Sequence, residues 1–296
     1  MGLRFHIIDA HIHLYPESEL QILGWYTPGE QVGKQHSVID YKRFVFVETD
    51  HKHDLVAGIS DGSGWRLPLM EVSWLKRIAT GTPRPGEGHG PEDAELYVAY
   101  IPWASIPSGL DALERHIGLV QREAGESWNK AKGFRYILQD KPDETALSDD
   151  FIQNLMLLGR KGLLFNVCVD HHNRGQVQLD DAVKVVHLAH GGVVEEDQLC
   201  FIFDHLCKPD LTLADPSAEP AFQSWLKSMY RLGQYKNVYI KLSGCFSELS
   251  DDVKSRPVEE IFSVSKPWLE VTLGAFGPAR IMFANDWRVC TSGVEG

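Results

Sequence analysis

Short β-prone runs recur eight times along this chain, at residues 5–10, 43–47, 96–101, 131–138, 163–169, 199–204, 238–242 and 280–284. Between most of them lie stretches, at 110–122, 149–160, 180–190, 218–232 and 258–273, whose apolar residues return near the 3.6-residue helical period. Strand and helix in alternation dictate parallel pairing, because each helical crossover returns the chain to begin the next strand from the same end. Eight such units predict an α/β fold of the (β/α)8 TIM-barrel type, typically ~250 residues, for which 296 residues suffice. An open doubly wound sheet is the competitor, but no G-x-G-x-x-G turn follows the first run. No linker divides the chain, so a single domain over residues 1–296 is expected.

Three segments interrupt the alternation. Residues 81–91, rich in Gly and Pro, read as a surface loop, and residues 18–37 as a long excursion serving as lid or rim. Residues 51–75 read as a second substrate-choosing loop, so that Trp25, Tyr26, Trp65 and Arg66 become candidate contacts. Only ten residues follow Asp286, too few for an eighth helix. The expected barrel is therefore distorted, apparently lacking its last helix, with the outer face of strand eight uncovered.

Charge and cysteine content narrow the functional classes. Lys plus Arg number 29 against 41 Asp plus Glu, a net charge of −12, which disfavours nonspecific binding to nucleic acid or anionic lipid. No apolar run approaches the ~20 residues of a membrane span, and no signal peptide precedes the first strand, so a cytoplasmic location is expected. Five cysteines without C-x-x-C spacing argue against a disulfide framework or zinc ribbon and for reduced, buried thiols. The sequence leaves assembly into a homo-oligomer open.

Active sites of such barrels sit at the C-terminal ends of the strands. There the chain places His11 and His13 on strand one, Arg135 on strand four, Asp204 and His205 on strand six, Lys241 and Ser243 on strand seven, and Asp286 on strand eight. Residues i and i+2 of an extended segment share a face, so the imidazoles of His11 and His13 converge. A lone histidine is usually a core residue held by the backbone; three strand ends offering His or Asp form a pattern. His51-Lys52-His53 imitates the first pair, but its polar flank Glu48-Thr49-Asp50 reads as a solvated loop, as do His171 and His172. Cys245 lacks a partner that would lower its pKa and is expected to be buried rather than nucleophilic. Ser243 suits hydrogen bonding to substrate or to the histidines.

The segments I-I-D-A-H-I-H, F-R-Y-I-L-Q, F-D-H-L-C-K-P, K-L-S-G and R-I-M-F-A-N-D-W-R-V-C resemble, in order and spacing, the amidohydrolase superfamily. The likeness spans residues 5–290 and is to the amidohydrolase-2 branch of 2-pyrone-4,6-dicarboxylate lactonases and sugar-acid lactonases. The resemblance implies a hydrolase that opens a small lactone, a sugar-acid lactone or a carboxylated pyrone or muconolactone. Asp286 would be the general base, with His11, His13 and His205 polarising the carbonyl and stabilising the oxyanion. It also implies either no required cofactor or one divalent metal ion, Zn2+ foremost, on His11, His13, His205 and Asp286.

Strand five carries neither a lysine nor a histidine of the binuclear members, so two metals are not expected, and His172 is an outlying mononuclear candidate. Arg135, Lys208, Lys241 and Ser243 are the candidate substrate contacts. Lys208 takes a position where arginine occurs in pyrone lactonases, and a lysine offers a point charge instead of a planar fork. Arg288 replaces the usual proline after Trp287. Two alternatives keep the barrel: a Zn-dependent amidohydrolase or decarboxylase of the same superfamily, and a truncated, catalytically inactive subunit.

Overall fold

The structure, a computed structural model, describes residues 7–16 and 41–286. The excursion at 18–37 with Trp25 and Tyr26, and the segment after Asp286 with Trp287, Arg288 and the question of an eighth helix, lie outside the described residues. Contacts group the chain into two compact units, one ending at Arg135 and one beginning at Tyr136.

In the first unit a three-stranded sheet runs in the order β1 (Ile7–Ile12), β2 (Tyr41–Val47), β3 (Tyr97–Ile101), with both ladders parallel. Ile12 stands opposite Phe46, and Phe46 and Val47 stand opposite Tyr100 and Ile101. Its helices are α1 (Leu55–Asp61), α2 (Arg66–Thr80) and α3 (Leu110–Ala124). Asp54 starts α1 by accepting the Ala57 amide at 3.0 Å, and Gly62, at a φ of 85° that a side chain would resist, ends it. On α3, Leu113, His116, Ile117, Val120 and Ala124 form the buried stripe.

One expectation fails here. Residues 51–75 are not a loop: α1 and most of α2 occupy them, and Trp65 is fully buried beside His116, with ring centroids 5.0 Å apart, instead of facing substrate. The Gly and Ser content of 58–64 obscured a helical pair whose joint needs those small residues. A Cβ on Gly58 would fall 2.0 Å from the Trp65 indole nitrogen.

The other sheet is five-stranded, in the order β4 (Gly133–Ile137), β5 (Leu164–Cys168), β6 (Cys200–Phe203), β7 (Val238–Leu242), β8 (Ile281–Phe283). The ladders β5–β6, β6–β7 and β7–β8 are parallel. The second unit's helices are α4 (Asp149–Arg160), α5 (His171–Arg174), α6 (Gln176–His190), α7 (Pro220–Gly233), α8 (Asp251–Lys254) and α9 (Val258–Phe276). Ser148 caps α4, and Asp149 and Asp150 in its first turn complement the helix dipole.

Phe151 of α4 packs edge-on against Phe165 at 5.9 Å, Phe165 against Phe201 at 6.4 Å, and Phe222 of α7 against Trp268 of α9 at 5.4 Å. Each buried ring contributes roughly 1.5–3 kcal/mol. Val167, Phe203 and Ile240 line up as one apolar row across β5, β6 and β7. Side chains alternate along a strand, so Asn166, Asp204 and Lys241 project from the opposite face, and this parity places the polar residues of the second unit together. Among the described residues no helix is long and apolar enough to cross a membrane.

Candidate active site

In the first unit the strand ends carry a buried polar set. Ile8 is exposed while Asp9, His11 and His13, at alternate positions, are buried on the other face. Asp9 accepts the His11 amide at 3.0 Å. The two imidazoles meet with Nε2 atoms 3.0 Å apart, and His13 Nδ1 lies 2.9 Å from the Val47 carbonyl. A carbonyl only accepts, so His13 Nδ1 carries the proton and its Nε2 presents a lone pair. Two bonds of ~2.0–2.1 Å to one zinc ion place their nitrogens roughly 3 Å apart, and a ligating histidine ordinarily donates its other nitrogen to a carbonyl. The pair therefore fits a divalent ion held between His11 and His13.

Arg135, buried on β4, faces an internal carboxylate: its Nη1 lies 3.5 Å from Glu48 Oε1 and donates to the Glu48 carbonyl at 3.3 Å. Burial pushes the Glu48 carboxyl up to about 8, against the lowering pull of Arg135. The expected solvated loop at 51–53 is corrected for its first histidine. His51 is buried, and its Nδ1 meets Glu71 Oε1 of α2 at 3.1 Å, where the Thr49 hydroxyl also donates at 2.6 Å. Burial raises the Glu71 carboxyl, but His51 and the Thr49 bonds outweigh it and hold the group below its usual range.

Glu48 and Glu71 were missed in the sequence reading. For Glu71 the signal was available: it shares one helical face with Val72, Leu75 and Ile78, an acid on an apolar stripe.

In the second unit His205, Ser243 and Asp286 come together, all buried. His205 Nδ1 is 2.8 Å from Ser243 Oγ, and its Nε2 is 3.6 Å from Asp286 Oδ2. Gly244 lies against both: a Cβ there would stand 2.4 Å from Asp286 Oδ2 and 2.6 Å from His205 Nδ1, at a backbone φ of +34°. Lys241 Nζ sits 3.0 Å from Asp204 Oδ1 and donates to Asn166 Oδ1 at 2.6 Å, while Asn166 donates to Asp204 Oδ2 at 2.5 Å, a closed buried network on three neighbouring strands.

The backbone that carries His205 is unusual. His205, Leu206, Cys207 and Lys208 have φ of 54°, 52°, 62° and 46°, four successive left-handed residues, none of them glycine. At roughly 1–2 kcal/mol per residue, such a run costs about 4–8 kcal/mol that surrounding structure must offset. Pro209 contributes to the cause, since a residue preceding proline is disfavoured from the right-handed helical region. Asp286 is also left-handed, at 57°.

Beyond the turn lies a charged cluster. Lys208 Nζ is 3.9 Å from both Asp170 Oδ2 and Glu248 Oε1. His172, expected in a solvated loop, is partly buried between Glu248, 2.8 Å from Nδ1, and Asp210, 3.5 Å from Nε2. His171 is buried outright, which lowers its pKa. Cys245 is buried and its thiol is pushed up to about 12 by that burial, as an inert residue requires. Cys200, Cys207 and Cys245 are thiols outside any disulfide.

The chain belongs to the amidohydrolase family, whose model matches residues 102–295. It is 30% identical to the L-rhamnono-gamma-lactonase of the yeast Scheffersomyces stipitis over 97% of this chain and 86% of that protein. It is also 30% identical to the L-fucono-1,5-lactonase of Burkholderia multivorans, over 58% of this chain and 54% of that one. A zinc-bound amidohydrolase crystal structure from Burkholderia multivorans aligns with a TM-score of 0.65 at 21% identity, covering 97% of this chain and 86% of that one. At that identity the likeness shows the fold, the α/β (β/α)8 TIM-barrel class expected from the alternation of strands and helices.

Proposed function

We propose that this chain is a hydrolase that opens a neutral sugar-acid lactone by adding water to its ring ester. Support for lactone chemistry comes from the two lactonase relatives, both named for deoxy-sugar acids. The preference for a neutral ring rests on one observation: each basic side chain expected to bind a substrate carboxylate already faces a carboxyl group of the protein. Arg135 has Glu48, Lys241 has Asp204, and Lys208 has Asp170 and Glu248. Turning Lys241 toward a substrate anion would strand the buried Asp204 carboxylate, at about 3–5 kcal/mol.

In this reading Asp286 takes the proton of the attacking water, and its neighbour His205, oriented by the Ser243 hydroxyl, holds the water and stabilises charge as the tetrahedral centre forms. His11 and His13, whose Nε2 atoms face each other, would serve as ligands rather than as hydrogen-bond donors to the ester carbonyl. The ligands proposed for a divalent ion, zinc, are His11, His13, His205 and Asp286, and the support within this structure is the His11–His13 pair. Bound there, the ion would supply Lewis acidity and lower the pKa of water. Ser243 acts on His205, while Arg135 and Lys241 act through their internal pairs. We also place the protein in the cytoplasm, on the strength of its free thiols.

Proton release in a pH-stat, with L-rhamnono- and L-fucono-lactones beside pyrone and muconolactone carboxylates, tests the substrate class. The neutral lactones are expected to lead by about 100-fold or more in kcat/KM, the counterpart of roughly 2.7 kcal/mol. A carboxylated ring that turns over faster would overturn the reading.

Gly244→Ala probes the positioning of the second unit's residues. The added methyl cannot be placed without moving His205 or Asp286, so turnover is expected to fall about 100-fold with the far-ultraviolet circular dichroism unchanged. An Ala variant that retains wild-type kcat would count against the site.

A further inference from the structure

The left-handed turn at residues 205–208 needs something to hold it. Within the turn, the Cys207 amide donates to the Asp204 carbonyl and the Lys208 amide to the His205 carbonyl, both at 2.8 Å. Two further carbonyls are held from outside. The His172 amide on α5 donates to Lys208 O at 2.8 Å. The indole N–H of Trp225, fully buried on α7, donates to Leu206 O at 2.9 Å. Left-handed and right-handed turns point their carbonyls in different directions, so relaxing the Leu206–Cys207 peptide toward the usual hand would carry Leu206 O away from the indole.

We propose that Trp225 is a positioning residue: through its hydrogen bond to Leu206 O it fixes the left-handed turn and thereby the orientation of His205 toward Asp286. The catalytic consequence rests on the lactonase reading above; the mechanical one does not. Trp225 touches no reacting atom, and its effect reaches the chemistry only through the turn.

Trp225→Phe removes the donor and keeps an aromatic ring. Cys207, fully buried in the turn, reports on the turn without any substrate, because alkylation requires the turn to open. Mass spectrometry of iodoacetamide-treated protein should find Cys207 labelled at least about tenfold faster in Trp225→Phe, with the rate at Cys200, at the start of β6 and away from the turn, unchanged. On the best lactone, kcat should fall about 10- to 100-fold with KM within twofold.

Glycine adopts the left-handed region freely, so adding Cys207→Gly to Trp225→Phe should recover most of kcat. A residue needed only for packing would behave in the opposite way, since Cys207→Gly removes a further buried group. Should Trp225→Phe fail to accumulate folded, the double variant is expected to fold and turn over. Equal acceleration of Cys200 and Cys207 labelling, a wild-type kcat in Trp225→Phe, or a double variant no better than the single one would each overturn the proposal. A wild-type chain silent on every lactone would defeat the lactonase reading instead, and the labelling ratio would still decide whether Trp225 holds the turn.

Discussion

Lys241→Met is expected to cost about 3–5 kcal/mol of folding stability, a large part of what a single chain possesses. The lysine, at 2% exposure, pairs with Asp204, which is itself fully buried at the end of the neighbouring strand. Methionine preserves the length and the apolar stem but takes the ammonium away from the Asp204 carboxylate, which keeps its bond from Asn166. Water cannot take the place of the ammonium in so closed a position, so the desolvation of Asp204 falls on the folded state alone. Urea titration followed by tryptophan fluorescence measures the loss as a shift of the midpoint at constant slope.

The companion variant separates this account from general core damage. Replacing Asp204 by Leu in the Lys241→Met background removes the stranded charge, and most of the lost stability is expected to return. A single variant as stable as the parent, or a double variant less stable than the single, would mean that the Asp204–Lys241 pair is not what stabilises this face of the sheet.

The same network explains what was legible in the sequence. All eight strands lie within a few residues of their expected positions, because runs such as Val238–Leu242 carry both β-propensity and clean boundaries. Five of the longer helices were visible through period 3.6, whereas α1 and α2 were hidden behind the Gly and Ser residues at 58–64. The strand-end polar residues were readable as a set. Their pairing was not, since Arg135 meets Glu48 across 87 residues and Lys241 meets Asn166 across 75. The left-handed turn at 205–208 left a single trace, Pro209, which restricts Lys208 but does not reveal the three residues before it. Polar flanks read as solvated turned out buried wherever an acid from a helix reached back, as Glu71 does to Thr49 and His51.

Asp286→Asn carries the largest expected effect on turnover. The carboxylate is buried, its Oδ2 stands 3.6 Å from His205 Nε2, and in the proposed reaction it is the group that accepts the proton of water. An amide of the same shape cannot accept that proton at neutral pH, and general-base contributions of this kind are worth about 10²–10⁴ in rate. Folding should be little affected, because asparagine is among the residues that tolerate the left-handed φ of 57° found here.

Asp286 is proposed to perform the base chemistry of lactone opening, and one comparison tests this role most directly. Proton release from L-rhamnono-γ-lactone is followed at constant pH for the wild-type chain and for Asp286→Asn at equal concentrations of folded protein. The account predicts turnover by the wild type and a loss of at least about 100-fold in the variant. An Asp286→Asn protein that opens the ring at nearly the wild-type rate would contradict it.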